Sequence, residues 1–206
     1  MAAILATKLG MTQRFADDGR VERVTVLQAG PCPVTAIRTL QRDGYDAVQL
    51  AFSPCREKAL TRAQLGHLKK ADTSAHRHLR EFLDEAGELK VGETVTVGAF
   101  EAGQQVKVSG RSKGKGFAGT IKRHNFNSGP KSHGSHNVRA PGSIGASATP
   151  SRVPKGLRGP GRMGGGRVTQ RGLEIVEVMA DRNLMLVRGA VPGPTGATVE
   201  VRSDGR

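Results

Sequence analysis

The sequence predicts a mainly β protein in which a compact body carries one small helical insert and one long basic loop. Three observations lead there. Short alternating or β-branched runs recur with turn signals between them, one stretch has helical periodicity, and one central segment combines dense positive charge with little to bury.

The short runs fall at 13–15, 21–28, 34–40 and 47–52, then at 93–97 and 104–109, and again at 174–179, 184–187 and 199–202. Asp17-Asp18-Gly19, Asp43-Gly44 and Ala180-Asp181-Arg182-Asn183 lie between them. Asp, Asn and Gly favour turns because their side chains bond the local backbone or tolerate a left-handed conformation. Strands this short at this spacing pair with their neighbours, which leaves an antiparallel barrel and a sandwich both open. The helical insert covers about 60–86. Thr61-Arg62-Ala63-Gln64 fits a capping box, and Ala75, Leu79, Phe82 and Leu83 mark the apolar face of a second short helix. The apolar run 2–6 is too short for a signal-peptide core or a membrane span. A soluble cytoplasmic protein with no membrane partner is expected.

Charge divides the chain sharply. Its 206 residues hold 32 Lys and Arg against 18 Asp and Glu, a net charge of +14. No acidic residue occurs between Glu101 and Glu174, and that window holds fourteen of the basic ones. Outside it basic and acidic residues are equal in number, so the whole excess belongs to one segment. The same window contains 16 of the 28 glycines, and only 17 of its 72 residues are apolar. It cannot build a core of its own, so either it lacks order or a partner orders it, and a polyanion is the natural complement. The expected division is therefore a nearly neutral body, 1–109 with 168–206, and a basic Gly-rich extension, 110–167. Aromatics are 3% of the chain with no Trp, which argues against a surface working mainly by base stacking.

Residue patterns that suggest other chemistry are weak. Gly114-Lys115-Gly116-Phe117-Ala118-Gly119 matches the dinucleotide fingerprint, but the sequence leaves no room for a following helix and offers no carboxylate before Glu174. These glycines read better as backbone that approaches a phosphate chain closely, flanked by Lys113, Lys115 and Lys122. His124, His133 and His136 lack a nearby thiol or carboxylate to complete a metal site, so no metal or other cofactor is expected. Hydroxyls and histidines in the window have no carboxylate to orient them, so no catalytic residue is expected. Cys32 and Cys55 form no Cys-x-x-Cys, and two cysteines are too few for a disulfide scaffold or a zinc ribbon. Two rival readings fit parts of the sequence: an RNA-modifying enzyme using the Gly114–Gly119 loop, and a basic nucleic-acid packaging protein.

Several segments together resemble the ribosomal protein L three family of the large subunit, bacterial type. Lys8-Leu9-Gly10-Met11-Thr12 is similar to its opening motif and Gly44-Tyr45-Asp46-Ala47-Val48-Gln49 to its next signature. Most specific is Ser112-Lys113-Gly114-Lys115-Gly116-Phe117-Ala118-Gly119-Thr120-Ile121-Lys122-Arg123. His133-Gly134-Ser135, Arg139-Ala140-Pro141-Gly142-Ser143-Ile144-Gly145, Thr149-Pro150-Ser151-Arg152-Val153, Met163-Gly164, Arg167-Val168-Thr169 and Leu186-Val187-Arg188-Gly189-Ala190-Val191-Pro192-Gly193 continue the series in order.

The resemblance implies a six-stranded β-barrel of the translation-protein type with a long basic extension that penetrates rRNA. It implies a structural constituent of the large ribosomal subunit, not an enzyme, that binds 23S rRNA and acts early in subunit assembly. Contacts to rRNA are then expected from Lys8, Arg111, Lys113, Lys115, Lys122, Arg123, His124, Lys131, His133, His136, Arg139, Arg152, Lys155, Arg158, Arg162 and Arg167. The extension tip, Ser143, Ile144, Gly145, Ala146, Ser147, Ala148 and Thr149, is expected near the peptidyl transferase centre. Family tips are associated with A-site function and with resistance to pleuromutilin and oxazolidinone antibiotics. Expected neighbours are proteins of the L fourteen and L nineteen families, with no homo-oligomer. Two positions depart from the pattern. Ala148 stands where several relatives carry a methylated glutamine, so that modification is not expected. His124 replaces a tryptophan found in some relatives.

Overall fold

A computed structural model describes residues 2–16, 18–83 and 89–204. The strands are β1 (Ala3–Phe15), β2 (Val21–Ala29), β3 (Cys32–Arg38), β4 (Ala47–Pro54), β5 (His76–Leu83), β6 (Thr94–Val95), β7 (Gln105–Arg111), β8 (Phe117–Ala118), β9 (Gly161–Arg162), β10 (Arg167–Met179), β11 (Leu184–Arg188) and β12 (Thr198–Ser203). The helices are α1 (Leu40–Asp43), α2 (Arg62–Lys70) and α3 (Thr120–His124). The chain forms two compact units, residues 1–112 with 167–206, and residues 113–166.

The first unit is built on a closed barrel in the order β1-β12-β7-β10-β11-β2, with β2 returning to β1 and every pair antiparallel. Of the barrel and sandwich that the strand pattern leaves open, the barrel is the one formed. Closure removes the unpaired edges that an open sheet would expose. Its interior comes from alternate positions of facing strands. Ile4 lies opposite Val201 and Ala6 opposite Val199, and Val106, Val108 and Ile175 join them in the core.

The other face of β1 is also covered. Ala3 and Leu5, which point away from the barrel axis with their partners Arg202 and Glu200, are buried too. A second sheet, β5-β4-β3-β6, supplies Val34, Val48, Leu50, Phe52 and Phe82 to the same core. Burial on both faces explains why residues 2–6 show no alternation and why only 13–15 of this strand is legible from pattern. Past the register shift between Lys8 and Gly10, β1 pairs with β2 as a largely exposed ribbon.

The insert confirms one helix and corrects the other. Thr61 caps α2 with a full capping box: its hydroxyl accepts from the Gln64 amide at 3.4 Å, and Gln64 Oε1 accepts from the Thr61 amide at 3.0 Å. The second helix expected on Ala75, Leu79, Phe82 and Leu83 is instead strand β5, paired along β4 from Ala47↔Leu83 to Pro54↔His76. Helical spacing lost to the ladder that β4 offers, because pairing buries Phe82 completely against the barrel. The Arg202 guanidinium covers the Phe82 ring at 4.7 Å.

Both cysteines are free. Burial pushes the Cys32 thiol up to about 12, and its Sγ donates to the Leu5 carbonyl at 3.6 Å. It is a core side chain and not a nucleophile.

Candidate nucleic-acid interface

The second unit, residues 113–166, is the arm. It has nine residues in regular elements: β8, β9 and the single turn of α3. Of its described residues only Ala118 and Thr120 are buried. Packing therefore fixes little of it, and its shape rests on backbone bonds and glycine.

Its base is a short hairpin. Phe117 lies opposite Arg162 and Ala118 opposite Gly161. The Lys115 amide donates to the Met163 carbonyl and the Met163 amide to the Gly116 carbonyl, each at 2.9 Å. At Gly164, φ is +69° and a Cβ would lie 2.2 Å from the Lys113 oxygen, so only glycine lets the strands approach this closely. A Cβ on Gly129 would likewise meet the Asn137 oxygen at 2.3 Å. Gly114, Gly116 and Gly119 are different, because a Cβ on any of them would meet nothing within 4 Å. These three glycines leave open space over the backbone where a partner can approach.

The fingerprint is followed by a helix after all, since α3 starts directly after Gly119. It lasts five residues and ends at Asn125 in the left-handed conformation. The expectation of no helix is corrected. The dinucleotide reading gains nothing, because β8 has two residues and pairs antiparallel with β9, where a nucleotide fold needs a parallel βαβ unit.

The cations expected to meet RNA fall into three groups. Lys113, Lys115, Lys122, Lys131, Arg139, Arg152, Lys155, Arg158 and Arg162 are exposed, as are His133 and His136. With no acidic residue in the arm, none of these has an ion-pair partner within it. Arg123 and His124 are half-buried and brace the arm: Arg123 Nη1 donates to the Gly159 carbonyl at 2.8 Å, and His124 Nε2 to the same oxygen at 3.1 Å. Arg111 and Arg167 face each other where β7 and β10 pair in the first unit, and both are exposed. Arg167 also bonds Glu200.

Lys8 does not belong with them. It is 7% exposed, and its ammonium donates to the carbonyls of Val191 at 2.8 Å and Gly193 at 3.2 Å. The side chain ties the 191–193 segment to β1, so its charge is spent on the fold and withdrawn from any surface. From sequence alone a lysine in a family motif is indistinguishable from a surface one.

Residues 143–149, expected to form the tip, are all exposed, and Ser143 Oγ donates to the Gly145 carbonyl at 3.1 Å. Near them, His124, Phe126, Asn127, Asn137, Pro141 and Arg158 line an open cleft. Sequence reasoning passed over Phe117, which the structure leaves 81% exposed among lysines. The signal was present: an aromatic residue inside a run of glycine and lysine has nothing local to pack against. Among the described residues no three His, Cys, Asp or Glu side chains gather as a metal site would require. Among the described residues no helix is long and apolar enough to cross a membrane.

Comparison with known proteins identifies the family. A family model described as Ribosomal protein L3 matches residues 78–184. The large ribosomal subunit protein uL3 of Acaryochloris marina is 52% identical over 200 residues, covering 97% of this chain and 94% of the relative. Those of Thermosynechococcus vestitus and Nostoc punctiforme are each 53% identical over 199 residues, covering 96% of this chain and 94% and 95% of the relatives. A closed six-stranded barrel and identity above one half along nearly the full length lead to one conclusion: the chain belongs to the uL3 family of large ribosomal subunit proteins, a family of ribosome components and not of enzymes.

Proposed function

We propose that the chain is a structural constituent of the large subunit that binds 23S rRNA through its arm, with the folded body as a platform. One observation carries this reading: nine Lys and Arg side chains of the arm are exposed in a segment that contains no carboxylate. Such a surface repels itself until anions neutralise it, and a phosphate backbone supplies them at regular spacing. Arg123 and His124 hold the arm's own backbone, and the remaining cations bridge RNA segments that would otherwise repel one another. The family resemblance supports the finer parts of the proposal: a role early in subunit assembly, a tip at 143–149 beside the peptidyl transferase centre, and L fourteen and L nineteen proteins as neighbours.

If about seven cations meet phosphates, the logarithm of the binding constant falls with the logarithm of salt concentration at a slope of roughly −5 to −6. Filter binding of the full chain to 23S rRNA between low and moderate salt measures it. A slope near zero overturns the proposal.

A further inference from the structure

The arm presents one aromatic ring almost wholly to solvent. Phe117 is 81% exposed, the highest value among the exposed large apolar side chains of the described residues. Scattered apolar residues on a surface need no explanation, but a phenyl ring held out this far in a segment with so little apolar surface does. Nor is it loose. Its strand neighbour Ala118 is buried, Arg162 pairs with it across the hairpin, and the two backbone bonds between Met163 and residues 115–116 hold that hairpin shut. A rigid mount means that little conformational freedom is lost when the ring meets a partner.

The surroundings select the partner. Lys113, Lys115, Lys122 and Arg162 are exposed nearby in the chain or across the hairpin, and no carboxylate lies between 102 and 173. A protein pocket for a phenylalanine would have to approach through this positive field. A nucleobase arrives attached to the phosphates that the field attracts. The open space over Gly114, Gly116 and Gly119 admits a backbone beside the ring.

We propose that Phe117 stacks on an unpaired nucleobase of the RNA that the arm binds, with Lys115 and Arg162 holding the flanking phosphates. This rests on the reading that the arm binds rRNA. Stacking tolerates any base, so the contact adds affinity without demanding sequence, and it anchors the base of the arm to one RNA position.

The chain has no tryptophan, so F117W supplies a single tryptophan reporter, excited selectively over Tyr45, in the full-length protein. On titration with 23S rRNA its emission is expected to be strongly quenched, as stacking on a base requires. Emission that stays unchanged, or that shifts to the blue without quenching as in an apolar protein pocket, overturns the proposal. Filter binding of the unlabelled variants gives the second readout. F117A is expected to bind roughly 5- to 100-fold more weakly, F117Y and F117W near the wild-type level, and F117L almost as weakly as F117A. Full affinity in F117L means apolar burial and not stacking, which also overturns it. The wild-type salt slope is measured in the same series. Wild-type binding with a steep slope and no effect at Phe117 sinks the stacking alone, whereas no wild-type binding sinks both readings.

Discussion

In the body, cations are answered inside the fold; in the arm, nothing in the segment can answer them. Arg38 reaches Asp43 at 3.0 Å and Glu81 at 3.2 Å, Arg188 reaches Glu174 at 3.1 Å and Glu22 at 3.6 Å, and Glu200 is shared between Arg80 and Arg167. Surface pairs of this kind are each worth about 0–1 kcal/mol, so they contribute little stability, but they offset most of the body's positive charge, which is net +4 against +10 in the arm. The body buries some thirty apolar residues, whereas the arm buries Ala118 and Thr120. One region takes its shape from burial and is electrically quieter. The other has backbone bonds, glycine and uncompensated charge, and takes its function from what that charge attracts.

The contrast predicts where truncation hurts. Phe82→Ala empties a fully buried site under Arg202, and denaturant unfolding should show a loss of about 3–5 kcal/mol. Leu157→Ala in the arm removes a half-exposed side chain, and its change should stay within about 0.5 kcal/mol. Comparable losses at the two sites would mean that the arm has a core of its own.

Lys8 and Lys115 sharpen the comparison, because one residue type does opposite work in the two regions. Lys8→Met strands two carbonyls in the body and should cost about 1–3 kcal/mol of stability, leaving the salt dependence of rRNA binding as it was. Lys115→Ala should leave stability unchanged and reduce the magnitude of the salt slope by about one. A reduced slope in Lys8→Met would return that residue to the interface.

The smallest expected effect is a pH dependence in the body. Burial, with Arg77 and Arg80 adding to it, holds the His78 pKa below its ordinary 6.5. The unfolded chain then binds the proton more readily than the folded one. Stability from this group is present above about pH 6.5 and declines as pH falls through that value. His78→Gln should flatten the decline in thermal unfolding scans between pH 7 and 5. An unaltered profile would assign the dependence to other groups.

Much of this was legible in the chain itself. The strands at 21–28, 47–52, 104–109, 184–187 and 199–202 lie where alternation places them, and the capping box at Thr61 forms as written. Each is local: period two and a cap depend on neighbours within a few residues. The segregation of charge is also a property of order along the chain, and no fold could redistribute a window that holds no acid.

What the chain could not show depended on distant partners. Residues 76–83 are a strand because β4 offered a ladder, and residues 3–6 are buried on both faces because a second sheet lies over the barrel. Lys8 was withdrawn from the surface by carbonyls more than 180 positions away, and Phe117 was left outside because nothing in the arm reaches it. Sequence by itself determined the strand-rich class and the location of the charge, since both follow from the order of residue types. Which side chains are spent on the fold and which remain for a partner was decided only in three dimensions, because burial and hydrogen bonding depend on what the folded chain brings alongside.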